Sequence, residues 1–163
     1  MKPPIRKSIR LKEYDYTQNG VYFITACTQE KQHLFWNVGA IMDRPPKQPE
    51  LSRIGLIAEK LINKIPDIYP AVHIEKYTVM PNHVHILIGI YQTYPDGRSM
   101  IAPTISRIIQ QYKGAVSKEA GTSIWQKSFY EHIIRNEQEY QQIWKYIDEN
   151  VLKWQQDCYY SNS

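Results

Sequence analysis

Residues Val72 to Ile90 read VHIEKYTVMPNHVHILIGI, and this stretch decides the fold. Val72 to Met80 and His83 to Ile90 are dense in strand-forming residues, and Pro81-Asn82 separates them. They predict two strands joined by a tight turn. Side chains alternate along a strand, so Val84, Ile86, Ile88 and Ile90 share one face and His83, His85 and Leu87 the other. The first set is uniformly apolar and suits a helix-packed side. The second sets two imidazoles side by side on the opposite face, close enough to chelate one ion. The pair reads either as metal ligands or as two polar residues on a solvated strand. Two ligands are too few for a tight site, so a third would come from elsewhere in the chain.

Working outward, Val21-Tyr-Phe-Ile-Thr-Ala-Cys-Thr28 follows Asn19-Gly20 and reads as a first strand. Asp43 to Pro49 holds three prolines and reads as a loop. Ser52 caps a predicted helix carrying Ile54, Ile57, Ala58, Leu61, Ile62 and Ile65 at helical spacing, with Pro66 as its stop. Tyr91 to Pro103, with Asp96-Gly97, is a predicted loop. A second helix runs from Thr104 to about Ala120, with Ile105, Ile108, Ile109, Tyr112 and Val116 on one side and Gly121 as its stop. Ile124 to Ile134 predicts a fourth strand. Asn136 opens a last helix, and Glu139 completes an Asx version of the capping box. The order is strand, helix, strand, strand, helix, strand, helix. Its first six elements are the ferredoxin-like βαββαβ pattern of the α+β class. Such a fold stacks its helices on one face of an antiparallel sheet and leaves the other open unless something covers it.

The 163 residues suit one domain with a real core. Lys plus Arg number 20 against 16 acids, a mild surplus that permits a polyanionic partner without establishing one. Cys27 and Cys158 stand far apart, which excludes a disulfide scaffold and a cysteine zinc site. No apolar run is long enough to span a bilayer. The basic N-terminus is not followed by an apolar signal core, so a cytoplasmic protein is expected. Thirteen tyrosines suit either stacking on nucleotide bases or the rims of a core. Residues 1–18 form a basic arm with Arg6, Lys7 and Arg10, fitted to lie along phosphates or to fray into solvent. Residues 19–156 are expected as a single domain, and 157–163 as a short tail.

On the last helix, Tyr140, Ile143, Trp144, Ile147 and Val151 repeat at steps of three and four and form a docking stripe. Tyr146 and Asn150 lie one turn apart on its flank. If the helix packs beside the sheet edge, that flank looks toward the histidine face. The pattern does not by itself single out Tyr146 over Tyr140 or Tyr130. His132, on the fourth strand, reads as a candidate base or a structural histidine.

Three blocks carry a family resemblance: Pro81-Asn-His-Val-His-Ile-Leu-Ile88, Ile124-Trp-Gln-Lys-Ser-Phe-Tyr-Glu-His-Ile-Ile-Arg135, and Tyr146-Ile-Asp-Glu-Asn150. In this order and spacing they resemble the HUH single-tyrosine transposases (IS200-like), and most closely the branch associated with repetitive extragenic palindromes (REP). HUH denotes two histidines around one hydrophobic residue, here Val84. The resemblance runs from about Gly20 to Trp154. It implies a ferredoxin-like sheet with the tyrosine on the last helix. It implies that His83 and His85 bind a divalent ion, Mg²⁺ or Mn²⁺, that Asn150 takes the third-ligand position, and that Tyr146 is the nucleophile. The substrate it implies is single-stranded DNA beside an imperfect hairpin, cleaved and rejoined through a 5′-phosphotyrosine link. Relatives include monomers and dimers that exchange tyrosines, so a homodimer is among the partners the family suggests. Arg107, Lys113 and Lys118 on the second helix and Lys127 and Arg135 around the fourth strand join the arm as charges that fit a phosphate track. One departure is Asn150-Val151, where the branch commonly has Asn-Pro; Val151 lets the helix continue toward Trp154.

Two other readings compete. A non-catalytic single-stranded nucleic-acid-binding module would use the open sheet and have no need of the histidines. A metal-dependent phosphodiesterase using water would need the metal site but not Tyr146.

Overall fold

The computed structural model describes residues 20–37, 50–91, 96–98 and 103–154. The arm, the Asp43–Pro49 loop and the 157–163 tail lie outside the described residues. Four strands, β1 (Gly20–Cys27), β2 (Val72–Val79), β3 (His83–Ile90) and β4 (Tyr130–Ile134), form one antiparallel sheet in the order β2-β3-β1-β4. Helices α1 (Arg53–Ile68) and α2 (Ile105–Ala120) cover one face, and α3 (Glu137–Glu149) follows β4. This is the ferredoxin-like α+β fold.

The alternation on β3 sorts the two faces. Val84, Ile86, Ile88 and Ile90 pack with Tyr22, Ile24 and Ala26 of β1 against Ile57, Ile62, Ile108, Ile109 and Val116 of the helices. Each valine or isoleucine among them contributes about 1.5–3 kcal/mol when fully buried. A second, smaller cluster forms on the opposite face, where Phe23, Leu87 and Ile147 are buried with Tyr140, Ile143, Trp144 and Tyr146 around them. The expectation of an open face is thus corrected. The stripe of α3 lies against that face and covers it.

Helix ends follow their caps. Ser52 Oγ accepts from Gly55 N at 3.0 Å and donates to Leu34 O at 2.5 Å. Thr104 accepts from Arg107 N, and Gly121 closes α2 with a left-handed φ of 80°. Asn136 accepts from Glu139 N at 2.8 Å, while Glu139 reaches back to Arg135 N, also at 2.8 Å. Pro66 does not stop α1, which runs on to Ile68. The ring's fixed φ is helical, only one N–H is lost, and Tyr69 N still bonds Ile65 O. The fourth strand is shorter than predicted. Ile124 and Trp125 turn into the larger core, with Trp125 bridging Thr28, and the chain from Gln126 to Phe129 leaves the sheet. There the Lys113 ammonium donates to the carbonyls of Gln126, Lys127 and Ser128, partners that take the place of strand pairing.

Past α3 the chain stays wound, as Val151 permits. Asn150 has helical angles (φ −61°, ψ −41°), and Lys153 N bonds Glu149 O. Among the described residues no helix is long and apolar enough to cross a membrane.

Candidate active site

His83 and His85 stand on the α3 face of β3, opposite Cys27 and Thr25 of β1. Their Nε2 atoms are 3.0 Å apart. Each Nδ1 faces away, to Asn82 Oδ1 at 2.7 Å for His83 and to Thr25 Oγ1 at 2.8 Å for His85. The Asn82 oxygen can only accept, so His83 carries its proton on Nδ1 and offers the Nε2 lone pair. The Thr25 hydroxyl can donate or accept, so it serves either tautomer of His85. Phe23 stacks on His85 at 5.1 Å between centroids and limits its rotation.

Both imidazoles are fully buried, and burial is the main cause of their lowered pKa values. His85 falls to about 3. His83 falls well below its ordinary value, pushed further by His85 and by the cation of Lys31. Both are therefore neutral near pH 7, the state a metal ligand requires.

The cover over the pair comes from α3 and the turn after it. Tyr146 Oη lies 3.4 Å from His85 Nε2, with its ring centroid 5.3 Å from the imidazole. The Trp154 ring lies 5.9 Å from His83 and is 3% exposed. A ligand the size of a nucleotide reaches the imidazoles only when this cover shifts. Asn150 is buried, and its Oδ1 is an orphaned acceptor.

These residues fit a divalent ion. With metal–nitrogen bonds of ~2.1 Å, two ligands at a right angle stand ~3.0 Å apart, which matches the Nε2 separation. Among the described residues no trio of His, Cys, Asp or Glu is gathered to hold an ion. A third donor from the protein would then be of another kind, and the orphaned amide oxygen of Asn150, one turn after Tyr146, is a candidate by its chemistry. Two imidazoles and an amide oxygen suit Mn²⁺ more readily than Mg²⁺, which prefers oxygen.

The expected phosphate contacts are not gathered in one place. Arg107 and Lys118 lie exposed on α2, across the sheet from the histidines. Lys113 is engaged with three carbonyls. Arg135 follows Ile134, which pairs with Val21 at the far end of β1 from Thr25. Lys127 is exposed and precedes Tyr130, which pairs with Thr25 at the histidine end. Arg6, Lys7 and Arg10 lie outside the described residues. His132 is bonded to Glu139 and ties β4 to the first turn of α3, the structural alternative.

Sequence reasoning missed Thr25, Asn82, Phe23 and Trp154. Asn82, beside His83 in the turn, was the one most open to discovery. The others depend on strand register and on the path of the chain after α3.

Comparison with known proteins identifies the family. The family described as Transposase IS200 like matches residues 54–150, from the start of α1 to Asn150. An uncharacterized protein of Haemophilus influenzae is 34% identical over 173 aligned positions, covering 95% of this chain and 93% of that protein. The solved structure of a REP-associated tyrosine transposase bound to a REP hairpin matches in fold. Its TM-score is 0.59 at 20% identity, covering 91% of this chain and 76% of that one. The chain belongs to the IS200-like transposase family.

Proposed function

We propose that this chain is an HUH single-tyrosine DNA endonuclease and strand transferase of the REP-associated branch, acting on single-stranded DNA beside a hairpin. The observation that carries the reading is the 3.4 Å approach of Tyr146 Oη to His85 Nε2, which itself faces His83 Nε2 at 3.0 Å. Packing accounts for the Tyr146 ring, whereas its hydroxyl is directed to the meeting point of two neutral imidazoles whose other nitrogens already have partners. The hairpin substrate is supported by the fold relative captured on such a DNA.

His83, His85 and Asn150 would hold Mg²⁺ or Mn²⁺, which supplies Lewis-acid polarisation of the scissile phosphate. Asn82 and Thr25 hold the two imidazoles in the facing orientation. Tyr146 attacks phosphorus in line: its oxygen–phosphorus bond forms, the bond to the 3′-oxygen breaks, and the DNA 5′ end remains on the tyrosine. The phenol proton is lost and the departing oxygen gains one. The link retains the phosphodiester's energy, so a second strand's 3′-hydroxyl rejoins by the reverse step.

The test is incubation with single-stranded hairpin DNA and Mn²⁺, followed by a denaturing gel. A protein–DNA band that survives detergent and heat is expected from the native chain and not from Tyr146→Phe or His83→Ala. Cleavage that persists in Tyr146→Phe without an adduct reassigns the site to a water-using phosphodiesterase. Binding without cleavage reassigns it to a non-catalytic module.

A further inference from the structure

Strand β2 breaks its own alternation beside the helix that carries Tyr146. Its register against β3 shifts between Ile74 and Lys76, so Glu75 is the extra residue of a bulge. In a regular strand the side chains of residues 75 and 76 would point to opposite faces. Here both reach the α3 face. The Glu75 carboxylate accepts from Tyr91 Oη at 2.9 Å and from Tyr140 Oη of α3 at 3.4 Å. Gly89 leaves the space that carboxylate occupies, since a Cβ there would lie 2.6 Å from Glu75 Oε1. Lys76, paired with Leu87, donates to Asp148 Oδ1 at 2.9 Å, and its ammonium lies 4.4 Å from the centre of the Trp144 ring.

Tyr140, Trp144 and Asp148 are spaced by four and form one row along α3. Two neighbouring residues of the bulge thus hold one flank of the helix over roughly two turns. Tyr146 is two residues from Trp144 and from Asp148, which puts it about 160° around the helix from each. Ile143 and Ile147 lie between the two flanks and pack with Phe23 and Leu87. Apolar burial is non-directional, so that cluster resists lifting of the helix more than rolling about its axis. The row on one flank resists the roll. The same roll would swing the phenol on the other flank away from His85.

We propose that Glu75 and Lys76 are positioning residues of the DNA reaction: through α3 they set the rotation that aims Tyr146 Oη at His85 Nε2. The inference rests on the tyrosine-nuclease reading above. It also gives the bulge a use. One extra residue turns an anion and a cation to the same side, where a phenol hydroxyl meets the carboxylate, and an aromatic face and an acid meet the ammonium. The Lys76–Asp148 pair adds little stability, since the Asp148 side chain is 67% exposed. Its effect is on geometry, and misplacing a reacting group by ~1 Å is enough to slow a reaction markedly.

Two measurements test the proposal. The first is single-turnover adduct formation with Mn²⁺ over a range of hairpin DNA concentrations. Lys76→Met keeps the stem and loses the contacts to both Trp144 and Asp148; its rate at saturating DNA should fall about 10-fold. Asp148→Asn loses only the ion pair and should fall about 3-fold. The half-saturating DNA concentration should stay unchanged in both. Glu75→Ala, which releases Tyr140, should also lower the saturating rate. The second measurement needs no activity and uses nuclear Overhauser contacts in the protein free of metal and DNA. The contact between the Tyr146 and His85 rings, 5.3 Å apart at their centroids, should weaken in each variant, while that between Phe23 and His85, 5.1 Å apart on the sheet, persists. A native rate or a native Tyr146–His85 contact in Lys76→Met overturns the proposal. So does a loss confined to half-saturation, which would make Lys76 a DNA contact, or an Asp148→Asn faster than the native chain, which would make Asp148 a repeller of DNA. If Lys76→Met folds poorly, the exposed Asp148→Asn decides by the same two readouts. A native chain that forms no adduct sinks the tyrosine-nuclease reading, while the ring contacts still decide whether the bulge aims the phenol.

Discussion

Tyr146 and His85 are 61 residues apart in sequence, on a helix and a central strand, and their Oη and Nε2 atoms stand 3.4 Å apart. That approach is produced by docking. Ile147, the neighbour of Tyr146, is buried against Phe23 and Leu87, and Leu87 is two residues from His85 on the same face of β3. This apolar cluster, together with the Lys76–Asp148 ion pair at 2.9 Å, holds the helix to the sheet, and the phenol is carried to the imidazole with it.

The bond from Thr25 to His85 Nδ1 fixes the ring's orientation, which the proposed function uses to present Nε2 to a metal ion. Thr25→Val keeps the shape and removes the partner. We expect divalent-ion affinity to fall about 10–100-fold, read by titrating Mn²⁺ into the metal-free protein. An unchanged affinity would show that the hydroxyl does not orient the ligand.

Asn150 buries an amide oxygen that has no protein partner. Asn150→Leu should therefore stabilise the metal-free protein by about 1 kcal/mol while weakening metal binding and adduct formation together. Thermal melts with and without Mn²⁺ check both halves. A variant that lost stability would indicate that the amide is a structural group.

The neutral histidine pair makes stability depend on pH. Their pKa values are lowered in the folded protein by burial, His85 to about 3, whereas in the unfolded chain they titrate near ~6.5. The unfolded state binds more protons below that value. Stability is thus complete above pH ~6.5 and falls as the pH drops, by up to about 1.4 kcal/mol per pH unit for each histidine. Urea unfolding of metal-free protein at pH near 7.5 and near 5.5 should show the lower midpoint in acid, and His85→Gln should flatten the difference.

Gly55, in the first turn of α1, accommodates the approach of the preceding loop. A Cβ there would lie 2.1 Å from Phe35 O, an oxygen that accepts from Ser52 N. Gly55→Ala should cost about 2–4 kcal/mol, measured by chemical denaturation. A smaller loss would mean that the loop yields.

The element order and the two faces of β3 were legible because alternation there is strict, apolar on one side and histidine on the other. The caps at Ser52, Thr104 and Asn136 were legible because capping needs specific side chains at a fixed spacing. The burial of the histidines was not. It depends on where α3 lies over the sheet, and the stripe from Tyr140 to Val151 tells what the helix hides but not on which surface. Thr25 escaped because its role follows from the register of β1 against β3, which no local pattern sets. Pro66 and the Gln126–Phe129 segment misled for opposite reasons. A proline in the last turn costs one bond, and a strand-like run can leave a sheet where a lysine satisfies its carbonyls instead.

The larger hydrophobic cluster contains no residue of Glu137–Glu149. The helix that carries the Tyr146 phenol is seated on the lesser cluster, yet the chain directly after it re-enters the larger one through Val151 and Trp154. The phenol is thus strung between two cores, and loosening either one changes its distance from the imidazoles.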